Sequence, residues 1–187
     1  TSSDLVQWKE QPIALYPDSI GMIFSGSAVL DKKNTSGLGR SGIAPLVAIY
    51  TQHYMPGEKA GRTDFQNQSI AYSLDEGKTW TKYAGNPVLK TSNIKDFRDP
   101  KVIWHAPSQK WIMSLAVADH VEFYSAPNLI NWTKESELGK NAFAHGGVWE
   151  CPDLLHFNLN GKIIWVLLVS MNPGGPNGGS ATQYIVG

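Results

Sequence analysis

The sequence predicts an all-β fold, a β-propeller of which these 187 residues form an incomplete part, about three to four blades. Three observations predict it. First, one unit occurs twice with a spacing of 52 residues. Phe97-Arg98-Asp99-Pro100 leads into an apolar run at 101–104, a turn at 106–109 and a second run opening on Trp111. Trp149-Glu150-Cys151-Pro152 leads into a run at 153–157, a turn at Asn160-Gly161 and a second run opening on Trp165. Second, a serine, a tight Asp or Asn turn and a strand opening on tryptophan recur at 3–8, 73–80 and 125–132, with Trp80 and Trp132 again 52 apart. Third, 18 glycines and 11 prolines cut the chain into short apolar runs, which read as many strands and many turns. A period near 50 with several strands per unit marks a propeller. A sandwich is the rival all-β fold, and the fixed period argues against it.

Taken in order, Ser3-Asp4-Leu5-Val6-Gln7-Trp8 reads as the outer-strand signature of one blade. The next blade offers strands at 25–30, 46–51, 68–73 and 79–83. Trp8 and Trp80 are 72 apart, so about 20 residues are inserted between them, and the Gly- and Pro-containing polar loop 53–64 is the natural place for part of them. The following blade offers 101–105, 110–116, 121–125 and 132–135. Clean polar–apolar alternation is missing in several of these, as expected of sheets buried on both faces. No helix is expected. Propellers usually need at least four blades, and closure protects their strand edges. The chain therefore reads as a piece of a larger propeller; standing alone, it would have an open edge or swap strands with a partner chain.

Charges balance at 16 basic and 16 acidic residues, which gives no electrostatic case for nucleic acid or an anionic membrane. Seven tryptophans on a chain only 17% charged suit neutral ligands with flat apolar faces such as sugars, although a tryptophan more often fills a core. Cys151 is the single cysteine, so no internal disulfide forms. No apolar run approaches the roughly 18 residues that span a bilayer. Asn34, Asn67 and Asn131 stand in Asn-x-Ser/Thr sequons, which matter only in a secreted eukaryotic protein. His105, His120, His145 and His156 lack metal-ligand spacing, so no metal is expected. The glycines of 173–179 do not lead from a strand into a helix, so they read as a loop at the rim and not as a phosphate cradle.

In a propeller the innermost strand of each blade faces the axis, and Asp99 and Glu150 stand at the start of two such strands. Both carboxylates then point into one funnel. Two carboxylates across a neutral ligand are what glycoside hydrolysis needs. The plainer alternative is that Arg98 and Asp99 form a structural ion pair and that Glu150 caps a turn. Phe24-Ser25-Gly26-Ser27 opens another blade in the same manner, with space, a hydroxyl and a ring for a ligand, or simply a tight strand start. Ser73-x-Asp75-x-Gly77-x-Thr79-Trp80 resembles the turn of sialidase-type propellers and marks the fold, away from the axis.

Phe97-Arg98-Asp99-Pro100, Trp149-Glu150-Cys151-Pro152 and Phe24-Ser25-Gly26-Ser27 resemble three signature motifs of glycoside hydrolase family 32, which includes invertases, exo-inulinases and levanases. Supporting matches run nearly end to end, from Ser3-Asp4-Leu5-x-x-Trp8 through Asn172-Pro173-Gly174-Gly175-Pro176 to Gln183-Tyr184-x-Val186-Gly187. The resemblance implies a five-bladed propeller, with 1–187 a partial catalytic domain lacking its first and last blades and holding no second domain. It implies a retaining, cofactor-free release of terminal fructose from sucrose, inulin or levan, outside the cell or in the periplasm. It assigns Glu150 as general acid/base and Asp99 as transition-state stabiliser, with Arg98, Phe24 and Ser25 binding the fructosyl unit and Cys151 behind them. The family's nucleophile lies in an Asn-Asp-Pro-Asn-Gly type motif that this sequence lacks; Asn86-Pro87 and Asn172-Pro173 carry no such Asp. The nucleophile is therefore expected upstream of Thr1, and the chain alone is expected to be inactive or very weak. A fructan-binding propeller without catalysis is the alternative. A sialidase is a weaker one, because Arg40, Arg62 and Arg98 are too few for its arginine cluster.

Overall fold

The protein is described by a computed structural model over residues 1–90 and 93–187. The described strands form three antiparallel sheets. The first runs β1 (Met22–Leu30), β2 (Leu46–His53), β3 (Gln66–Ser73), β4 (Thr81–Lys82), with β5 (Leu89–Lys90) also on β3. The second runs β6 (Phe97–His105), β7 (Lys110–Val117), β8 (His120–Ala126), β9 (Thr133–Leu138), and the third β10 (Val148–Leu159), β11 (Lys162–Asn172), β12 (Ala181–Val186). Each sheet is a meander, as a propeller blade requires. β1 packs beside β6, and β6 beside β10, so these three are the innermost strands.

The second sheet lies between the other two, which explains the missing alternation. β7 is buried on nearly every residue. Val47, Ile49 and Ile70 of the first sheet close on Phe97, Met113 and Leu115 of the second. On the other side Val121 of β8 meets Trp149, Leu167, Val169 and Met171. Branched and aromatic side chains are what a pleated surface packed from both sides selects.

The turns follow local chemistry. Asn160 and Gly161, both at positive φ (53° and 82°), join β10 to β11, the two-residue hairpin that matches strand twist. In the three tryptophan turns the indole Nε1 donates to the carbonyl three residues earlier: Trp8 to Leu5 (3.1 Å), Trp80 to Gly77 (3.0 Å) and Trp132 to Leu129 (3.1 Å). Asp4, Asp75 and Asn128 accept backbone N–H groups inside them. The sequence points to Ser3 in the first turn, but the hydroxyl used is that of Ser2, which accepts the Leu5 N–H at 2.8 Å.

The inserted residues divide between two connections, 31–45 and 54–65, where the second sheet has 106–109 and 118–119. Connection 54–65 contains α1 (Met55–Lys59), a single turn with proline near its start. The sequence expectation of no helix is corrected here. A Pro-Gly pair in five residues reads as loop, whereas here the segment turns once and Glu58 on it bonds His53 at 3.0 Å. Met22 pairs with His53 and Val148 with Asn172. Connections 54–65 and 173–180 therefore rise at the same end as the starts of β1 and β10.

The shared core predicts that the first and second sheets unfold together. Leu115→Ala, at a fully buried position of the interface, is expected to cost about 2–5 kcal/mol, measured by urea denaturation with tryptophan fluorescence.

Candidate active site

Each inner strand begins with the same irregularity. The register slips between Ile23 and Gly26, between Arg98 and Lys101, and between Glu150 and Asp153. Phe24-Ser25, Asp99-Pro100 and Cys151-Pro152 thus each face one residue of the neighbouring strand. Such bulges re-aim side chains and are frequent beside active sites. Pro100 and Pro152 fit the second bulge position because they have no N–H for the ladder to satisfy. Asp99 and Cys151, just before them, take left-handed φ values of 62° and 48°, which cost a non-glycine residue about 1–2 kcal/mol.

Their N–H groups are taken up by the preceding blade. Asp99 N–H donates to Thr51 Oγ1 at 3.0 Å, and Cys151 N–H donates to Asp99 Oδ2 at 3.0 Å. Thr51 in turn donates to Gln68 Oε1 (2.8 Å), and the Gln68 amide donates to the Phe97 carbonyl (2.8 Å). Gln66 Oε1 accepts the Phe97 N–H at 2.8 Å. Three buried polar side chains of the first sheet therefore hold the start of β6.

Arg98 bridges two acids, Asp96 (Nη1–Oδ1, 2.5 Å) and Glu150 (Nη2–Oε1, 2.9 Å). Burial pulls the guanidinium down, but the hydrogen bonds it donates to Asp96 and Glu150, together with their charges, outweigh it and leave Arg98 above its ordinary value. Among the described residues its ion-pair partners are these two, so the structural Arg98–Asp99 pair does not form. Asp99 is buried at 7% exposure, while the Glu150 side chain is 33% exposed. Loss of water around the sulfur, then the facing Asp99 carboxylate, push the Cys151 thiol up to about 11.

Ser25, Asp99 and Cys151 line one cleft of about 340 Å³ along the inner strands, together with the Lys101–Asp153 ion pair (2.9 Å). Ser27 fastens its floor, donating to the Pro100 carbonyl at 3.0 Å and accepting the Val102 N–H at 3.1 Å. Glu150 and Arg98, paired with each other, are not among the lining residues, although Glu150 directly precedes Cys151, which is. Phe24, next to Ser25, is not part of the lining either, and its ring is stacked on His53 at 4.3 Å and 11°. A more apolar cavity of about 480 Å³ lies at the far ends of β1 and β6, lined by Val29, Trp104 and Trp111. Its carboxylate, Asp31, is consumed by Thr35 and Ser36, so it lacks the acid pair.

The structure also gathers His120, Glu122 and Glu137 within reach of a metal ion. Lys134 already supplies the positive charge there, 3.0 Å from Glu137 and in contact with Glu122. Sequence reasoning missed Asp96, Thr51, Gln66 and Gln68. Gln66 and Gln68 left a usable signal, two amides at period two in an otherwise strand-like run. Asp96 left none, because its partner is fixed by the fold.

Known proteins resemble this chain over its full length. Residues 1–187 match the family model described as "Glycosyl hydrolases family 32 N-terminal domain". The chain is 52% identical to a levanase of Bacillus subtilis (strain 168), over all of this chain and 27% of the relative. It is 46% identical to an extracellular exo-inulinase of Aspergillus niger, over all of this chain and 39% of the relative. The solved fructofuranosidase of Schwanniomyces occidentalis complexed with fructose superposes with a TM-score of 0.88 at 41% identity, over all of this chain and 36% of that one. The chain thus spans well under half the length of these relatives.

Two predictions follow from the bonding. Thr51→Val leaves the Asp99 N–H and Gln68 Oε1 without their partner and is expected to cost about 1–3 kcal/mol, read as a lowered thermal midpoint. With its thiol near 11, Cys151 holds roughly a hundredfold less thiolate at pH 8 than a thiol at 9, so iodoacetamide should label it slowly. Asp99→Asn removes the opposing anion and should speed that labelling several-fold.

Proposed function

The chain belongs to family 32 of the glycosyl hydrolases, and from that membership we propose that the protein releases terminal fructose from β-fructofuranosides with retention of configuration. The observation that carries the proposal is the pair of carboxylates at neighbouring bulges, Asp99 held by the Cys151 N–H and Glu150 held by Arg98. Glu150 acts as general acid, giving its proton to the leaving-group oxygen as the glycosidic bond breaks. It then acts as base, taking a proton from the water that completes hydrolysis. Asp99 accepts hydrogen bonds from fructosyl hydroxyls and stabilises the oxocarbenium-like centre. Arg98 orients Glu150 and contacts the fructosyl unit. Ser25 and Phe24 line the same subsite, and Cys151 backs Asp99.

Retention needs an attacking carboxylate about 5 Å from the acid. We place it in an Asn-Asp-Pro-Asn-Gly type segment outside these residues, on a blade preceding β1, which makes 1–187 one part of a catalytic propeller. The side of β2 and β3 turned away from the second sheet supports this. Tyr50 Oη, Ser69 Oγ and Gln52 Oε1 are buried there without hydrogen-bond partners among the described residues. A preceding blade would bond these atoms as Thr51 bonds Asp99. Substrates are expected among sucrose, inulin and levan, and an extracellular or periplasmic location is supported by the extracellular exo-inulinase relative. Among the described residues no helix is long and apolar enough to cross a membrane. A propeller that only binds fructans would use the same cleft; the enzyme names of the relatives support turnover instead.

In the natural protein containing this chain, Glu150→Gln is expected to lower fructose release by about 10²–10⁴-fold with an unchanged circular dichroism spectrum. Release near the wild-type rate would overturn the assignment of Glu150.

A further inference from the structure

We propose that Asp96 is a positioning residue for the acid/base: its carboxylate occupies one side of the Arg98 guanidinium and balances the charge that Glu150 meets on the other. The inference rests on the reading of Glu150 given above.

The geometry is a three-member line, Asp96 Oδ1 to Arg98 Nη1 at 2.5 Å and Arg98 Nη2 to Glu150 Oε1 at 2.9 Å. The Arg98 side chain is only 13% exposed, so water screens the line poorly. Its ends are pinned by one residue. Ala118 N–H donates to the Asp96 carbonyl at 2.9 Å, and the Ala118 carbonyl accepts the Trp149 N–H at 2.7 Å. The backbone next to both acids is therefore fixed to a single point of the β7–β8 turn. Asp96 is bonded to Arg98, and Arg98 to Glu150, so Asp96 acts through Arg98.

The chemistry requires such a balance. A general acid must still hold its proton at working pH, and a guanidinium at hydrogen-bond distance favours the carboxylate instead. A second carboxylate on the same guanidinium opposes that pull, both by engaging the cation and by repelling a negative Glu150. The other groups around Glu150 do not do this. Asp99 on β6 is bonded to the Cys151 N–H, and Cys151 faces Asp99. Lys101 and Asp153 pair with each other. Asp119 of the β7–β8 turn is engaged by His145, 3.3 Å away. Ser170, opposite Glu150 on β11, is uncharged.

The test uses Asp96→Asn and Asp96→Glu in the natural protein, with the pH dependence of kcat/KM for sucrose. Asp96→Asn removes a negative charge near the acid, so the basic limb should move to lower pH by roughly half to one unit. Asp96→Glu should restore most of the shift. Carbon-13 NMR titration of the Glu150 carboxyl reads the same change without turnover and decides the matter if a variant is inactive. A basic limb and a Glu150 titration both unmoved in Asp96→Asn would overturn the proposal. A merely structural aspartate would lower activity evenly across pH and give that unmoved result. The two readings fail separately: if Glu150→Gln keeps turnover, the acid/base assignment falls, whereas an inactive Glu150→Gln with an unshifted Asp96→Asn removes only the role of Asp96.

Discussion

The unpaired N–H created at each β-bulge is the constraint from which the site follows. A bulge puts two residues where the ladder has room for one, and a buried N–H without a partner costs about 1–3 kcal/mol. Proline at the second bulge position removes one donor. The other, on Asp99 or Cys151, has to find an oxygen outside its own sheet. Thr51 supplies it for Asp99, and Asp99 itself supplies it for Cys151. The acid in the cleft is thereby also the bond that joins the second sheet to the third, so its orientation is settled by folding.

Two kinds of interaction consequently divide the blade interfaces. One kind is apolar, with Ile49, Ile70 and Leu115 on one side of the second sheet and Trp149 and Val169 on the other. That packing supplies stabilisation without direction. Near the cleft, Thr51, Gln66 and Gln68 are almost completely buried and bonded to the start of β6. Each such bond contributes only about 1 kcal/mol net. Their effect is positional, because a satisfied buried network permits one arrangement and penalises the rest. Phe24 is handled in the same manner, by stacking on a His53 that is itself fixed by Gln66 and Glu58.

Much of this was legible because the chain repeats itself. The 52-residue spacing of Arg98 and Glu150 identified equivalent strand starts, and the proline after each acidic stretch is the visible trace of a bulge. Register within a blade was legible too, since Trp80 and Trp132 mark their turns by side-chain chemistry confined to a few residues. What could not be read depends on which of several nearby side chains the folded backbone brings into reach. Glu58 of α1 bonds His53, and of two adjacent serines it is Ser2, not Ser3, that closes the first turn. The choice of Asp96 over Asp99 as the partner of Arg98 is of the same kind. Adjacent residues suggest a pair, but the left-handed bulge turns Asp99 toward Cys151 and leaves Arg98 to the acids on either side of it.

The repeat is also offset in a way that fits the different roles proposed for the two acids. In register, Glu150 corresponds to Arg98, and Asp99 corresponds to Cys151. The carboxylates therefore come from different positions of equivalent bulges and meet different surroundings. Asp99 is enclosed and bonded through both its N–H and its carboxylate, which suits a group that must keep one orientation while charge develops beside it. Glu150 keeps a third of its side chain in water and is tied by an ion pair to a cation shared with Asp96. A residue proposed to give a proton to the leaving group in one step and to take one from the attacking water in the next has to admit that water. An enclosed acid in the position of Asp99 could not do so, and one as open as Glu150 would hold a sugar hydroxyl poorly. The one-residue offset separates these requirements on two otherwise identical strand starts.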